Sequence, residues 1–200
     1  MTDVKRTVVY VARVVTDGVE KVFPPERNLL IEKTKNESLR RERYSVWRLL
    51  EYALSDAFDI NIRDLSFRRT DGGKWMADGI FFSLSHTPEL VCVAVSEEPV
   101  GVDIERVRET LSSRTAERIL SESELEEYRA LESEDCEEFI IRKWSGKEAM
   151  FKREELSAFV PHLYVPTQDN TAFYRLTERE DVYVISVTAS SGAKLVDLRD

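Results

Sequence analysis

The run ELVCVAV at residues 89–95 is apolar almost without a break after its first residue, the pattern of a strand built for a core. A second strand is expected at TVVYVARVV (7–15), which is β-branched and aromatic. The turn SEEP then leads from the first of these runs into VGVDIE, residues 100–105. This segment starts as another apolar strand and ends on two carboxylates, Asp103 and Glu105.

Around these strands the chain alternates. TDG turns the chain after residue 15, and VEKVFPP is expected to add a short strand. Thr34 and Glu37 stand at capping-box spacing. They open a helix to about Phe58 whose apolar stripe is Leu39, Val46, Trp47, Leu50, Leu54 and Phe58. LSFRRTDGGKWMADGIFFSLSH reads as a hairpin leading into a further strand. In the second half, Ser112 or Ser113 caps a short helix, Ser121 with Glu124 caps another, and a longer one covers about 135–153. FVPHLYVPT, TAFYRLTE, DVYVISVTA and KLVDLRD read as strands. The coarse plan is strand, helix and strands, twice, with antiparallel sheets expected from the short turns.

With 200 residues, 42% of them apolar, the chain suffices for a real core. The net charge is −9, and almost all of it falls in the second half, where residues 101–200 carry 14 Lys and Arg against 22 Asp and Glu. Such a chain does not read as a nucleic-acid binder. The one dense basic stretch, KTKNESLRRER (33–43), suits either a small anion or a solvated face. No run is long enough to span a bilayer and the N-terminus has no signal-peptide layout, so a soluble cytoplasmic protein is expected. Cys92 and Cys136 form no C-x-x-C pair and are expected as two packed thiols.

Alternation in a strand puts Val100, Val102 and Ile104 on one face and Gly101, Asp103 and Glu105 on the other. Two carboxylates about 6.5–7 Å apart at Cα beside a glycine suit a hard cation such as Mg²⁺. They also suit a half-buried strand with its polar face in water. Glu148 falls in the stripe of Ile141, Trp144 and Phe151, where an ionised carboxylate needs a partner or a metal. Lys152, one helical turn on, offers the salt-bridge alternative. Arg43 sits beside the stripe of the first long helix, either facing an anion or snorkelling to water. Ser85 and His86 close a strand, but no G-x-S-x-G elbow surrounds the serine, which argues against a hydrolase triad.

FFSLSHTPELVCVAV, VGVDIE and WSGKEAMFK, in that order, resemble the three-part signature of the 4′-phosphopantetheinyl transferase superfamily, over residues 80–152. The two-half plan is similar to the surfactin-synthetase-activating type. The resemblance implies an α+β fold, a pseudodimer of two similar α/β units, each a small, mainly antiparallel sheet packed with a long helix. Residues 1–100 would make the coenzyme A nucleotide contacts and 101–200 the metal site, as one functional unit and as a monomer.

The implied reaction moves the phosphopantetheine arm of coenzyme A to a serine of an apo acyl or peptidyl carrier protein. The implied ligands of Mg²⁺ are Asp103, Glu105 and Glu148, with Glu148 the favoured general base, directly or through a water, and Lys152 reaching the diphosphate. Ser85 and His86 would contact coenzyme A phosphate, Arg43 the 3′-phosphate, Lys74 the adenine surroundings and Lys33 an upstream basic position. Lys147 precedes Glu148 as in the family. Lys74 lacks the usual following proline, Trp47 stands where a small glycine is common, and REELSAF replaces a G-x-G-L segment. The rival readings are a non-catalytic carrier-binding relative and a magnesium-dependent phosphohydrolase.

Overall fold

The computed structural model describes residues 5–18, 20–70, 73–107, 113–155, 159–163 and 170–199. Its strands are β1 (Thr7–Arg13), β2 (Phe67–Arg69), β3 (Trp75–Ala77), β4 (Phe81–His86), β5 (Leu90–Ser96), β6 (Gly101–Arg106), β7 (Thr171–Glu178), β8 (Asp181–Thr188) and β9 (Ala193–Asp197). Its helices are α1 (Pro25–Glu32), α2 (Glu37–Phe58), α3 (Ser113–Ile119), α4 (Glu122–Arg129) and α5 (Cys136–Glu154). The fold is α+β.

Two sheets carry the core, one in the order β4-β5-β1-β9 and the other β6-β8-β7. Strand alternation makes β5 serve two cores at once. Val91, Val93 and Val95 pack under α2 with Val8, Tyr10, Trp47, Leu50 and Leu54. Leu90, Cys92 and Ala94 face the opposite way, onto Val102, Ile104, Ile185 and Val187 of the second sheet. The far side of that second sheet is covered by α5, where the hydroxyls of Ser145 and Ser186 are hydrogen-bonded. The layers are therefore α2, sheet, sheet, α5, and every residue of the 90–96 run is buried.

Several local expectations change. Pairing is antiparallel except that β9 joins β1 in parallel, so the last strand of the chain completes the sheet of its first half. The described part of VEKVFPP forms no strand. It leads into α1, which the doubled proline opens by supplying its first residue. The cap of α2 is Asn36, whose side chain accepts from Leu39 N, while the Thr34 hydroxyl donates to Leu30 O. The described start of FVPHLYVPT holds a 3-10 turn at Pro161–Leu163, and its remainder lies outside the described residues, as does Ser112. The capping box at Ser121 and Glu124 forms as expected. Cys92 is buried, Cys136 is half-buried, and both are free thiols. Among the described residues, no helix is long and apolar enough to cross a membrane.

Candidate active site at the seam of the two sheets

β4 and β6 are the edge strands that meet where the two sheets join, and no backbone ladder links them. Side chains serve in its place. Val102 N donates to Ser83 Oγ at 3.0 Å and Ile104 N donates to Ser85 Oγ at 3.2 Å. Two backbone donors on a buried strand edge are thereby satisfied. Ser85 Oγ in turn donates to Asp103 Oδ1 at 2.8 Å. Both residues are buried.

The other face of β6 does not look into water. At Gly101 a Cβ would lie 1.7 Å from the Ala149 carbonyl oxygen and 2.8 Å from Arg153 N. The space beside Gly101 is filled by α5 itself, and the glycine is what lets the helix lie this close. Trp144 Nε1 donates to Glu105 Oε1 at 3.1 Å. Eight residues on, Lys152 Nζ donates to Asp103 Oδ1 at 2.7 Å and to Val102 O at 3.1 Å.

Glu148 lies between those two contacts on α5 and is half-buried. The tightly packed face of the helix is the neighbouring one, with Ile141, Ser145 and Ala149. Trp144 and Phe151 instead flank the site and meet the Phe159 ring at 5.3 and 5.0 Å between centroids. The alternative Glu148–Lys152 salt bridge does not form, and Lys152 is bound to Asp103 instead. Among the described residues Glu148 has no hydrogen-bond or ion-pair partner. Burial pushes its carboxyl above the usual range, the charge of Lys152 opposes this, and the charge of Asp103 adds to it.

Asp103 Oδ2 is buried without a hydrogen-bond partner. Among the described residues no three His, Cys, Asp or Glu side chains stand close enough together to enclose a metal ion. The donor set nonetheless fits a hard divalent cation: an orphaned buried carboxylate oxygen, a second carboxylate held near its charge, and Glu105 on the same strand face.

On the other side of the seam, His86 Nδ1 lies 2.9 Å from Glu42 Oε2. His86, Glu42 and Glu105 share a cleft of about 830 Å³. Burial lowers the His86 pKa, Glu42 opposes that, and Lys152 and Arg27 reinforce it. Arg43 Nη1 donates to Thr34 Oγ1 at 2.9 Å, so this arginine is turned to α1 and does not snorkel freely. Arg27, unnoticed in the sequence, is buried against the Trp47 ring at 4.8 Å from its centroid. Its Nη2 donates to Arg43 O at 2.9 Å and its Nε has no partner. Its pKa is pushed down to about 10, chiefly by burial and then by the charges of Arg43 and Arg69. The charges of Arg43 and Arg69 thus bear on a buried arginine with one unsatisfied nitrogen.

The remaining expected residues are placed more loosely. Lys74 Nζ donates to Lys152 O at 2.7 Å and pairs with Glu155 at 3.1 Å, at the C-terminal end of α5. Lys33 is exposed at the end of α1. Lys147 is fully buried and bound to Glu124 Oε2 at 2.5 Å and to Ile119 O at 3.0 Å, away from the carboxylates. Its role is to tie α3 and α4 to α5. Arg27 escaped sequence reading because α1 was not expected. Glu42 carried only a weak signal, a carboxylate one turn before the apolar Val46.

Residues 99–183, which hold β6 and α5, match the family model described as the 4′-phosphopantetheinyl transferase superfamily. The chain is 27% identical over 150 residues to the 4′-phosphopantetheinyl transferase gsp of Aneurinibacillus migulanus, covering 73% of this chain and 63% of that protein. It is 28% identical over 146 residues to psf-1 of Bacillus pumilus, covering 68% and 61%, and 25% identical over 116 residues to Sfp of Bacillus subtilis (strain 168), covering 56% and 51%. All three are named 4′-phosphopantetheinyl transferases, and the chain matches between half and two thirds of the length of each. The matched segment carries the strand carboxylates, the glycine that admits α5 and the helix that brings Glu148 and Lys152 over them, and over these residues the chain is similar to the 4′-phosphopantetheinyl transferase superfamily.

Proposed function

We propose that the chain transfers the phosphopantetheine arm of coenzyme A to a serine hydroxyl of an apo acyl or peptidyl carrier protein, releasing adenosine 3′,5′-bisphosphate. The observation that carries this reading is the seam cluster, where the orphaned oxygen of Asp103 and the unpartnered Glu148 lie beside Lys152. The arginines of α1 and α2 lie in the other half of the chain. The two halves act as one unit in this reading, a pseudodimer with the nucleotide held mainly by the first half and the reacting phosphate by the second.

Phosphoryl transfer asks for positioning and charge stabilisation more than for covalent chemistry. Mg²⁺ is the cation that Asp103, Glu105 and Glu148 would hold, and the chemistry it supplies is neutralisation of the diphosphate. Lys152 places a second positive charge at the same spot. Arg43, with Arg27 and Arg69, takes the 3′-phosphate, and His86 takes a phosphate oxygen. Ser85 acts on the phosphate end through Asp103, which its hydroxyl orients. Lys74 and Lys33 contribute positive charge on the adenine side and upstream. Glu148, with no hydrogen-bond or ion-pair partner among the described residues, accepts the proton of the carrier serine.

The reaction suits a cytoplasmic monomer, since coenzyme A and apo carriers meet there. The test is to mix the protein with Mg²⁺, coenzyme A and an apo carrier and to read the carrier mass. The expected result is a gain of one phosphopantetheine arm, lost in Glu148→Gln with the fold intact. Hydrolysis of coenzyme A without mass gain would assign a phosphohydrolase, and carrier binding with neither product would assign a binding module.

A further inference from the structure

Glu42 lines a cleft that also holds Glu89, Glu105, Glu180 and Asp181, with Arg106. Its side chain is 10% exposed. Arg43 follows it in sequence, and Arg27 and Lys152 both bear on the His86 that it touches. A carboxylate there weakens the attraction for a polyanion unless it serves another end. Its two oxygens have separate partners. Oε1 accepts from Ser38 Oγ at 3.1 Å, which fixes the group against its own helix. Oε2 meets His86 Nδ1 at 2.9 Å. His86 Nε2 makes no hydrogen bond among the described residues, and the ring lines the cleft of about 830 Å³.

We infer that Glu42 is a positioning residue that fixes the His86 ring with Nδ1–H on its carboxylate and turns Nε2 to the cleft as the contact for a phosphate oxygen. This rests on the nucleotide-binding reading above. An ionised carboxylate only accepts, so Nδ1 must carry its hydrogen. A phosphate oxygen at Nε2 also only accepts. The ring is then held between two acceptors and binds as imidazolium, a charge-assisted donor. Glu42 from α2 favours the cation and Arg27 from α1 and Lys152 from α5 oppose it, while Glu89, Glu105, Glu180, Asp181 and Arg106 line the same cleft.

The chain has two histidines, so ¹⁵N histidine NMR of the free protein at pH 8 reads His86 with His162 as its control. His86 is expected in the Nδ1–H tautomer, reverting to Nε2–H in Glu42→Ala. Titration with coenzyme A is expected to show about tenfold weaker binding by Glu42→Gln, equivalent to about 1.4 kcal/mol. Simple removal of a negative charge from the cleft would instead tighten binding of a polyanion. An unchanged tautomer in Glu42→Ala, or equal or tighter binding by Glu42→Gln, would overturn the inference. Failure of the unaltered protein to bind coenzyme A would overturn the transferase reading, while the tautomer still decides the role of Glu42.

Discussion

At position 101 a methyl group has nowhere to go, because a backbone carbonyl of α5 occupies its place. Backbone cannot swing aside as a flexible side chain can, so Gly101→Ala is expected to cost at least about 3 kcal/mol in urea unfolding. It should also reduce transfer beyond that loss, since α5 carries Glu148 and Lys152. Lys147 makes the opposite case, a charge whose function is structural. Burial lowers its pKa and Glu124 opposes this. Lys147→Met leaves the buried Glu124 with only the Ser121 N–H and Lys143 at 3.7 Å, and should cost about 3 kcal/mol, whereas adding Glu124→Leu should recover part of it, the capping box being lost as well. Stability measured across this cycle would count against the pairing if the double variant were as weak as the single. Strand and helix periodicities put Asp103, Glu105 and Glu148 on their faces, and the motif resemblance is what singles them out as a set. The sequence hides Arg27, Arg69 and Glu42, whose neighbours come from elements distant in the chain.

Among the elements, the long ones were legible because a sustained apolar period overrides local ambiguity. α2 and α5 fall within a residue or a few of where their stripes put them. Capping-box spacing was a good guide at Ser121 and a poor one at Thr34. The difference is local: the Thr34 hydroxyl is already bound to the end of α1, and Asn36, one residue before the helix, has the side chain that reaches Leu39 N. The pairing of β6 with α5 could be anticipated only in part. The sequence places Glu148 on an inward stripe, but only the helix-to-strand register shows Lys152 reaching Asp103 and Trp144 reaching Glu105.

For the whole molecule, the parallel return of β9 to β1 was the feature least open to reading, since KLVDLRD carries no mark of which strand it will join. Near it, Glu178 at the end of β7 is held by Arg13 of β1 at 2.9 Å and by Arg199 at 3.5 Å. The hydrogen bond from Arg13 is the main reason its carboxyl lies below the usual range. A carboxylate with a lowered folded pKa adds stability above its unfolded value, about 4.3, and loses it as pH falls through the folded value. Glu178→Gln should therefore lower Tm at pH 7, with the gap to the unaltered protein closing as pH drops below about 4. A gap that stays constant with pH would show that the link between the sheets does not depend on this charge. The central claim concerns the seam between those sheets: Asp103, Glu105 and Glu148 together hold a divalent cation against the diphosphate of coenzyme A. Mn²⁺ titrated in the presence of coenzyme A and followed by electron paramagnetic resonance tests it most directly. One tightly held ion per chain is predicted, lost separately in Asp103→Asn and in Glu148→Gln, and an ion held equally well by both variants would contradict the account.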